Sequence, residues 1–545
     1  IYGLGTTGMT GSLTEANPIP IDALEAVSIT TSSVDVRESG FTGGAIKAIT
    51  RSGDNEFRGS AYTYFNNEHF WGTTPGKDVA SRSPLSQQTT NIVGVTLGGP
   101  IVRNKLFFFV NFEQSQSPNE VNLWRASVDG VANPDMYLSR AKVEDMEAVK
   151  KHLWDNYGYD TGSYTDYPAQ SSNTKVLARI DWNINDNHHL AVRYNYTLDR
   201  GWVPTNRSSG NAVRKASADR ISQYGMAFAN SIYSDDNLVH SFAFDLNSRF
   251  SNNLSNQLLV TFSKLDNVRG STSDPFPFID ILDAKDYAAG KIMPYISAGY
   301  ELFTWNNGVH NNVVTVKDDV TYFTGNHKIT AGLTYEYQMV DNSYMRNGTG
   351  YYRYASLDDF LNQRAPETVC LTYGYDGEKN PAARVRFHQF GAYGQDEWTP
   401  TDNFKLTYGV RLDMIAFDNQ DLMTNNAILA VDYNGKNIDT GKWPTTKVRV
   451  SPRVGFTWDV LGNKSLKVRG GTGFFTGRLP LVFFTNMPTN SGMVQNLTSI
   501  STDKGGVAPK ELAQFAGPMI TDVDKLIQKL HSINPEKYPL TITPD

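Results

Sequence analysis

Connections of two lengths alternate along this chain, and that alternation restricts its fold more than any other feature. From Glu56 onward about thirteen strand candidates can be read, at 56–66, 90–101, 105–116, 174–184, 189–198, 238–250, 254–267, 313–323, 328–341, 385–398, 403–417, 448–460 and 465–475. The links after the second, fourth, sixth, eighth, tenth and twelfth are tight turns (102–104, 185–187, 251–253, 324–326, 399–402 and 461–463), and every other link is long. An antiparallel barrel in an outer membrane has this requirement, because periplasmic turns only reverse the chain while outer loops carry recognition. A soluble sandwich has no reason to keep the parity. A tilted membrane strand needs about 9 to 11 residues, so several of these strands are expected to stand out above the bilayer.

Within single strands the side chains separate by type. Phe404, Leu406, Tyr408, Val410, Leu412 and Met414 alternate with Lys405, Thr407, Gly409, Arg411 and Asp413, which gives one face for lipid and one for water. The segment 328–339 repeats the pattern, with Ile329, Ala331, Leu333, Tyr335, Tyr337 and Met339 opposite Thr330, Gly332, Thr334, Glu336 and Gln338. A soluble antiparallel sheet with one wet face would produce the same alternation in any one strand; the parity of the links separates the two. Two places depart from the pattern. Residues 384–394 alternate poorly, and Phe107 and Phe109 fall on the water-facing side; both are expected to pack against a plug inside the barrel.

Composition excludes several classes. With 545 residues, 39% hydrophobic, and a mean hydropathy of −0.41, the chain has no run near eighteen apolar residues and so no ordinary transmembrane helix. A net charge of −6 and a pI near 5.9 leave no basic footprint for nucleic acid. The lone Cys370 reads as a spectator thiol in a loop. His188 and His189 lack the spacing of a zinc site. Asp396 and Glu397 are adjacent on a strand and point to opposite faces, unlike a glycosidase pair. Gly471, Gly473 and Gly477 lack the lysine of a phosphate loop and mark instead a bend or a close approach to a neighbour. No catalytic, metal-binding or cofactor-binding set emerges, and the expectation is a protein that is not an enzyme.

The stretch 41–65, FTGGAIKAITRSGDNEFRGSAYTYF, is a junction between a short glycine-marked segment and the long strands. Residues 19–60, IPIDALEAVSITTSSVDVRESGFTGGAIKAITRSGDNEFRGS, and 469–480, RGGTGFFTGRLP, resemble TonB-dependent outer-membrane transporters, in particular the Oar-like group with a carboxypeptidase-regulatory-like domain. The resemblance implies an all-β fold: a transmembrane antiparallel β-barrel, about 22 strands when complete, with a small α+β plug in its lumen. Residues 1–54 would end the plug and 55–545 form the N-terminal half or more of the barrel, making the chain a fragment. It further implies the outer membrane of a Gram-negative bacterium, with lipid around the wall. The implied function is active uptake of a large extracellular substrate, a peptide or glycan ahead of an iron chelate. TonB would be engaged through a box upstream of Ile1, and a surface lipoprotein partner is allowed. A surface adhesin or passive porin is the main competing class, and a secreted β-rich hydrolase a more distant one.

Candidate functional residues follow from this layout. Arg37, Lys47 and Arg51 of the plug are expected to face acidic or polar lumen residues such as Glu336 or Asp413. Trp71, Trp202, Trp305, Tyr351 and Tyr352 lie in long links rich in Gly and Asn, and are the candidates for holding substrate, since large aromatic groups bring contact area at little entropic cost. Two helices are expected in these links, at 143–154 and 522–533, with apolar faces made by Val143, Met146, Val149 and Leu153 and by Val523, Leu526, Ile527, Leu530 and Ile533. Each is expected to fold back and cap its own loop.

Overall fold

The protein is described by a computed structural model covering residues 19–30, 33–40, 45–70, 89–120, 122–165, 167–206, 217–479, 481–490, 492–502 and 507–540. Thirteen strands form one antiparallel meander from Arg58–Asn66 at one edge to Lys467–Gly473 at the other, each hydrogen-bonded to its sequence neighbour within the sheet. All thirteen strand expectations are met, most with extensions at the ends of the long links: the expected 313–323 is Asn307–Thr324 and the expected 328–341 is His327–Tyr344. The tight turns stay short because their residues accept left-handed backbone, as at Asn104 (φ 63°), Gly325 (φ 55°) and Gly462 (φ 69°).

Burial across this sheet is inverted relative to a soluble protein. Leu333 is 65% exposed and Val450 58%, and Val95, Phe112, Val192, Phe242, Tyr322, Val410 and Leu412 join them in an apolar belt. Arg411, Asp413, Arg453, Gln395, Asp319 and Glu113 are instead buried on the opposite face. Isolated exposed apolar groups are ordinary, but a continuous belt of them over buried charges requires lipid. A charge on that belt would cost about 2 to 4 kcal/mol at the bilayer midplane.

A hairpin of Leu24–Thr30 and Ala45–Thr50, with the segment 33–40 between its strands, lies over the charged face. Phe109, one of the aromatic residues that break the alternation, is buried there with Ala23, Leu177 and Ile19. At the outer end of the irregular segment 384–394 the partner is not the expected plug. Val385 and Phe387 pack beneath a helix, Leu481–Asn490, whose Phe484 stacks on Phe417 at 5.1 Å. That helix was not foreseen in the sequence.

The larger surprise lies in the long links. Segments from four of them assemble a second, six-stranded sheet in the order Met226–Ala227, Pro294–Ala298, Phe278–Leu282, Tyr351–Tyr354, Thr368–Gly374, Gln495–Ser501. The foreseen helices are present as Val143–Tyr157 and Val523–Ile533, and they cover this sheet with Met146, Val149, Leu153, Leu526 and Leu530. The first ends at Gly158 (φ 64°), where Gly158 N donates to Trp154 O and Tyr159 N to Leu153 O, and the second starts where the Asp522 carboxylate accepts from Lys525 N at 2.9 Å. The long links thus form a packed cap at the end of the barrel away from the tight turns.

This topology carries an expected result for intact cells. Added protease should cut in exposed parts of the long links outside the packed cap, such as 431–437, and leave the turn 324–326 untouched, as mass spectrometry of the released peptides would show. Cleavage at the turns with 431–437 spared would invert the orientation.

Candidate functional site: the strap in the lumen and the outer cap

Residues 33–38 form a strap held against the barrel wall by side chains of three different strands. Gln395 Oε1 accepts from Val36 N at 3.0 Å, and Arg411 donates to Val36 O at 3.3 Å. Arg453 donates to Asp35 O at 2.6 Å and to Glu38 O at 2.9 Å. Hydrogen bonds from charged donors contribute about 1.5–3 kcal/mol each, so Arg453 is the stronger fastening. On the other side of the hairpin, Arg179 donates to Thr50 O at 2.8 Å. The N-terminal segment therefore touches strands well separated in the sheet and lies across its interior.

Close approach of the strap depends on missing side chains. A Cβ at Gly455 would lie 2.8 Å from Val34 Cγ2, one at Gly471 2.6 Å from Val34 Cγ1, and one at Gly409 2.9 Å from Val36 Cγ1. The glycine-rich stretch around Gly471 is thus a landing place for the strap, as the alternative to a phosphate loop anticipated.

Arg37 lies within the field of the wall carboxylates Asp319 and Glu397, but among the described contacts Arg37 and Arg51 pair with neither Glu336 nor Asp413. Arg37 is paired with Asp35 of its own loop at 2.5 Å, and Arg51 donates to Leu24 O at 3.2 Å. Lys47 lies in the strand Ala45–Thr50. Asp413 is taken by Arg411 at 2.9 Å, and Glu336 faces Arg478 at 3.5 Å. The closest fastenings run the other way: wall cations donate to backbone carbonyls of the strap.

In the cap, the aromatic candidates separate. Tyr351 and Tyr352 are 0% and 1% exposed, which corrects the expectation that they meet substrate at a surface. Tyr351 Oη donates to Asp280 at 2.7 Å and Tyr352 Oη to Ile520 O at 3.0 Å, so both are structural. Trp202 is half-buried near the end of the strand His188–Val203. Trp305 lines a cleft of the cap and meets Tyr300 edge-on at 5.9 Å. Trp71 lies outside the described residues.

The cap core contains charges that sequence reading missed. Arg220 grips Asp280 through Nε at 2.8 Å and Nη2 at 2.7 Å, and Ser297 donates to the same carboxylate at 2.6 Å. Burial alone would raise the Asp280 pKa, but the Arg220 guanidinium and the Ser297 and Tyr351 hydroxyls hold it below the ordinary aspartate range. Arg353 pairs with Glu367 in the same core. Cys370 sits in the strand Thr368–Gly374, not in a loop; burial pushes its thiol up to about 11, and it donates to Ser499 Oγ at 3.2 Å. An inert thiol fits the spectator reading. Among the described residues no group of His, Cys, Asp or Glu is arranged to hold a metal ion.

A lipid-facing sheet with a polypeptide strap fastened to its charged interior defines a plugged outer-membrane barrel. Residues 49–130 and 147–540 match the model of the outer membrane beta barrel domain, and the chain belongs to that family. Over 197 residues it is 28% identical to the TonB-dependent transporter Oar of Myxococcus xanthus, a match covering 33% of this chain and 16% of that protein. The crystal structure of the outer membrane transporter YddB from Escherichia coli has the same fold, with a TM-score of 0.55 at 14% identity over 88% of this chain. This chain spans 51% of the YddB chain. These likenesses bear out the resemblance to TonB-dependent transporters and place the protein in the outer membrane of a Gram-negative bacterium.

Proposed function

We propose that the whole protein is an active transporter in which TonB, working from the periplasm, loosens the plug and admits a large extracellular substrate. Residues up to about 54 end that plug, and 55–545 belong to the barrel wall and its outer links. The observation that carries this proposal is the strap. A passive porin needs an open interior, whereas the carbonyls of Asp35, Val36 and Glu38 are tied to Arg411 and Arg453 on the inner wall. A few such bonds favour a fastening that can be pulled open and can re-form. A peptide or glycan is favoured over an iron chelate by the Oar-like sequence and by a cap cleft lined with both aromatic and acidic groups.

The test is uptake by cells with and without TonB. Labelled peptide fractions of culture medium should accumulate only when both the transporter and TonB are present. Accumulation unaffected by loss of TonB would reduce the protein to a passive pore.

A further inference from the structure

A cleft of about 730 Å³ opens in the cap between the strand Thr368–Gly374, the turn that follows it and the helix Val523–Ile533. We propose that this cleft binds a basic side chain of an extracellular peptide, with the aliphatic stem against Trp305 and Ile527 and the cationic head among carboxylates at the rim. The proposal rests on the transport function above and narrows its substrate to a cationic peptide.

The floor is apolar and fixed. Gly348 lets the Trp305 indole lie directly on backbone, since a Cβ there would come within 2.5 Å of Trp305 Cδ1. Met345 and Ile527 complete an apolar surface beside the ring. The rim is acidic, with Asp376, Glu378, Asp522 and Asp524. Asp376 (φ 54°) and Gly377 (φ 78°) are consecutive left-handed residues, and Glu378 N donates to Tyr375 O at 2.9 Å, a tight turn that presents both of its carboxylates to solvent. Asp522 is held in place by capping its helix.

Lys379 shows the chemistry in miniature. It is the one basic residue lining the cleft among the described residues, and its ammonium already sits on Asp524. A long cationic side chain places methylenes on apolar surface while its charge stays at the water's edge, and a cation beside an indole gains further attraction. A glycan would stack on the Trp305 face and hydrogen-bond to carboxylates but gains no charge pairing from them, and an acidic peptide would be repelled.

The experiment measures binding of a dansyl-labelled octapeptide of alternating Lys and Leu to the full chain in detergent, against the matching Glu–Leu peptide. The Lys peptide should bind at least about tenfold more tightly. Trp305→Ala, and separately Asp376→Asn with Glu378→Gln, should each weaken it several-fold. Lys379→Ala should tighten binding, because it releases Asp524. Asp376, Glu378 and Lys379 are exposed, so these variants keep the cap folded, and unchanged protease resistance would confirm it. Equal binding of the two peptides, or no effect of either acidic substitution or of Lys379→Ala, overturns the proposal. Cleft binding without TonB-dependent uptake supports the cleft and counts against transport; uptake that ignores the cleft variants overturns the cleft alone.

Discussion

Replacing Arg411 with alanine is expected to lower barrel stability sharply, and replacing Arg453 is expected to free the strap while leaving the wall nearly intact. Arg411 is 1% exposed and donates to Asp413 through Nε at 2.9 and 3.0 Å and to Thr334 at 2.9 Å. Its removal strands a carboxylate that is itself only 3% exposed, at a cost of about 3–5 kcal/mol. Its bond to the strap, at 3.3 Å, is the weaker of its roles. Nη1 of Arg453 donates to two strap carbonyls, and Arg453→Ala removes about 3 kcal/mol or more of fastening from these bonds. Thermal unfolding in detergent should therefore drop for Arg411→Ala and be largely restored in Arg411→Ala with Asp413→Ala. Cells carrying Arg453→Ala should admit large antibiotics that the unaltered barrel excludes. Equal melting of all the variants would show that these charges are solvated and would remove the wall from the account.

The second large effect is expected in the cap. Asp280→Leu removes the carboxylate that Arg220 grips through two nitrogens in a site where Arg220 is 1% exposed, and the loss should be about 3–5 kcal/mol. The cap should then open to protease while the barrel strands stay protected, since the pair ties the strand Phe278–Leu282 to a different link. Replacing both partners, with Arg220→Met and Asp280→Leu, should recover only part of the loss, because the buried charges are gone but the Ser297 and Tyr351 hydroxyls lose their acceptor. The pH dependence has a definite sign. A carboxylate held below its unfolded pKa contributes stability above the ordinary aspartate range and loses it as pH falls through the folded value. Cap protection from an acid-tolerant protease should thus persist at pH 5 and fail only below about pH 4. Loss of protection near pH 6 would point to a different group.

The wall was legible because a strand in lipid repeats every two residues and each short turn is local. Phe404 to Met414 could be assigned to faces from the sequence alone, and Leu412 and Val410 are exposed where Arg411 and Asp413 are buried. The cap was not legible for the opposite reason. Its strands have two to seven residues and pair across links, as Thr368–Gly374 does with Gln495–Ser501, more than a hundred residues on. No local period records such a pairing. The same non-locality hid the partner of Tyr351, since nothing near it in sequence announces Asp280. For the strap, residue types pointed to charge pairs, but hydrogen bonds to backbone carbonyls leave no mark on the sequence of the segment that accepts them. Of the glycines opposite the strap, Gly471 carried a trace that could be read as a close approach to a neighbour.

Whether the strap sits in the lumen of the working protein can be measured by a cross-link. Val34 Cβ lies 3.2 Å from where a Cβ at position 455 would stand, close to the separation of about 3.5–4.5 Å in a disulfide. The chain's own cysteine, Cys370, is buried and will not compete. Val34→Cys with Gly455→Cys, oxidised in intact outer membranes, should form a disulfide that mass spectrometry detects and that halts TonB-dependent uptake until a reductant is added. Failure to cross-link, with both cysteines open to a maleimide added from the periplasmic side, would place the strap outside the barrel and contradict the account.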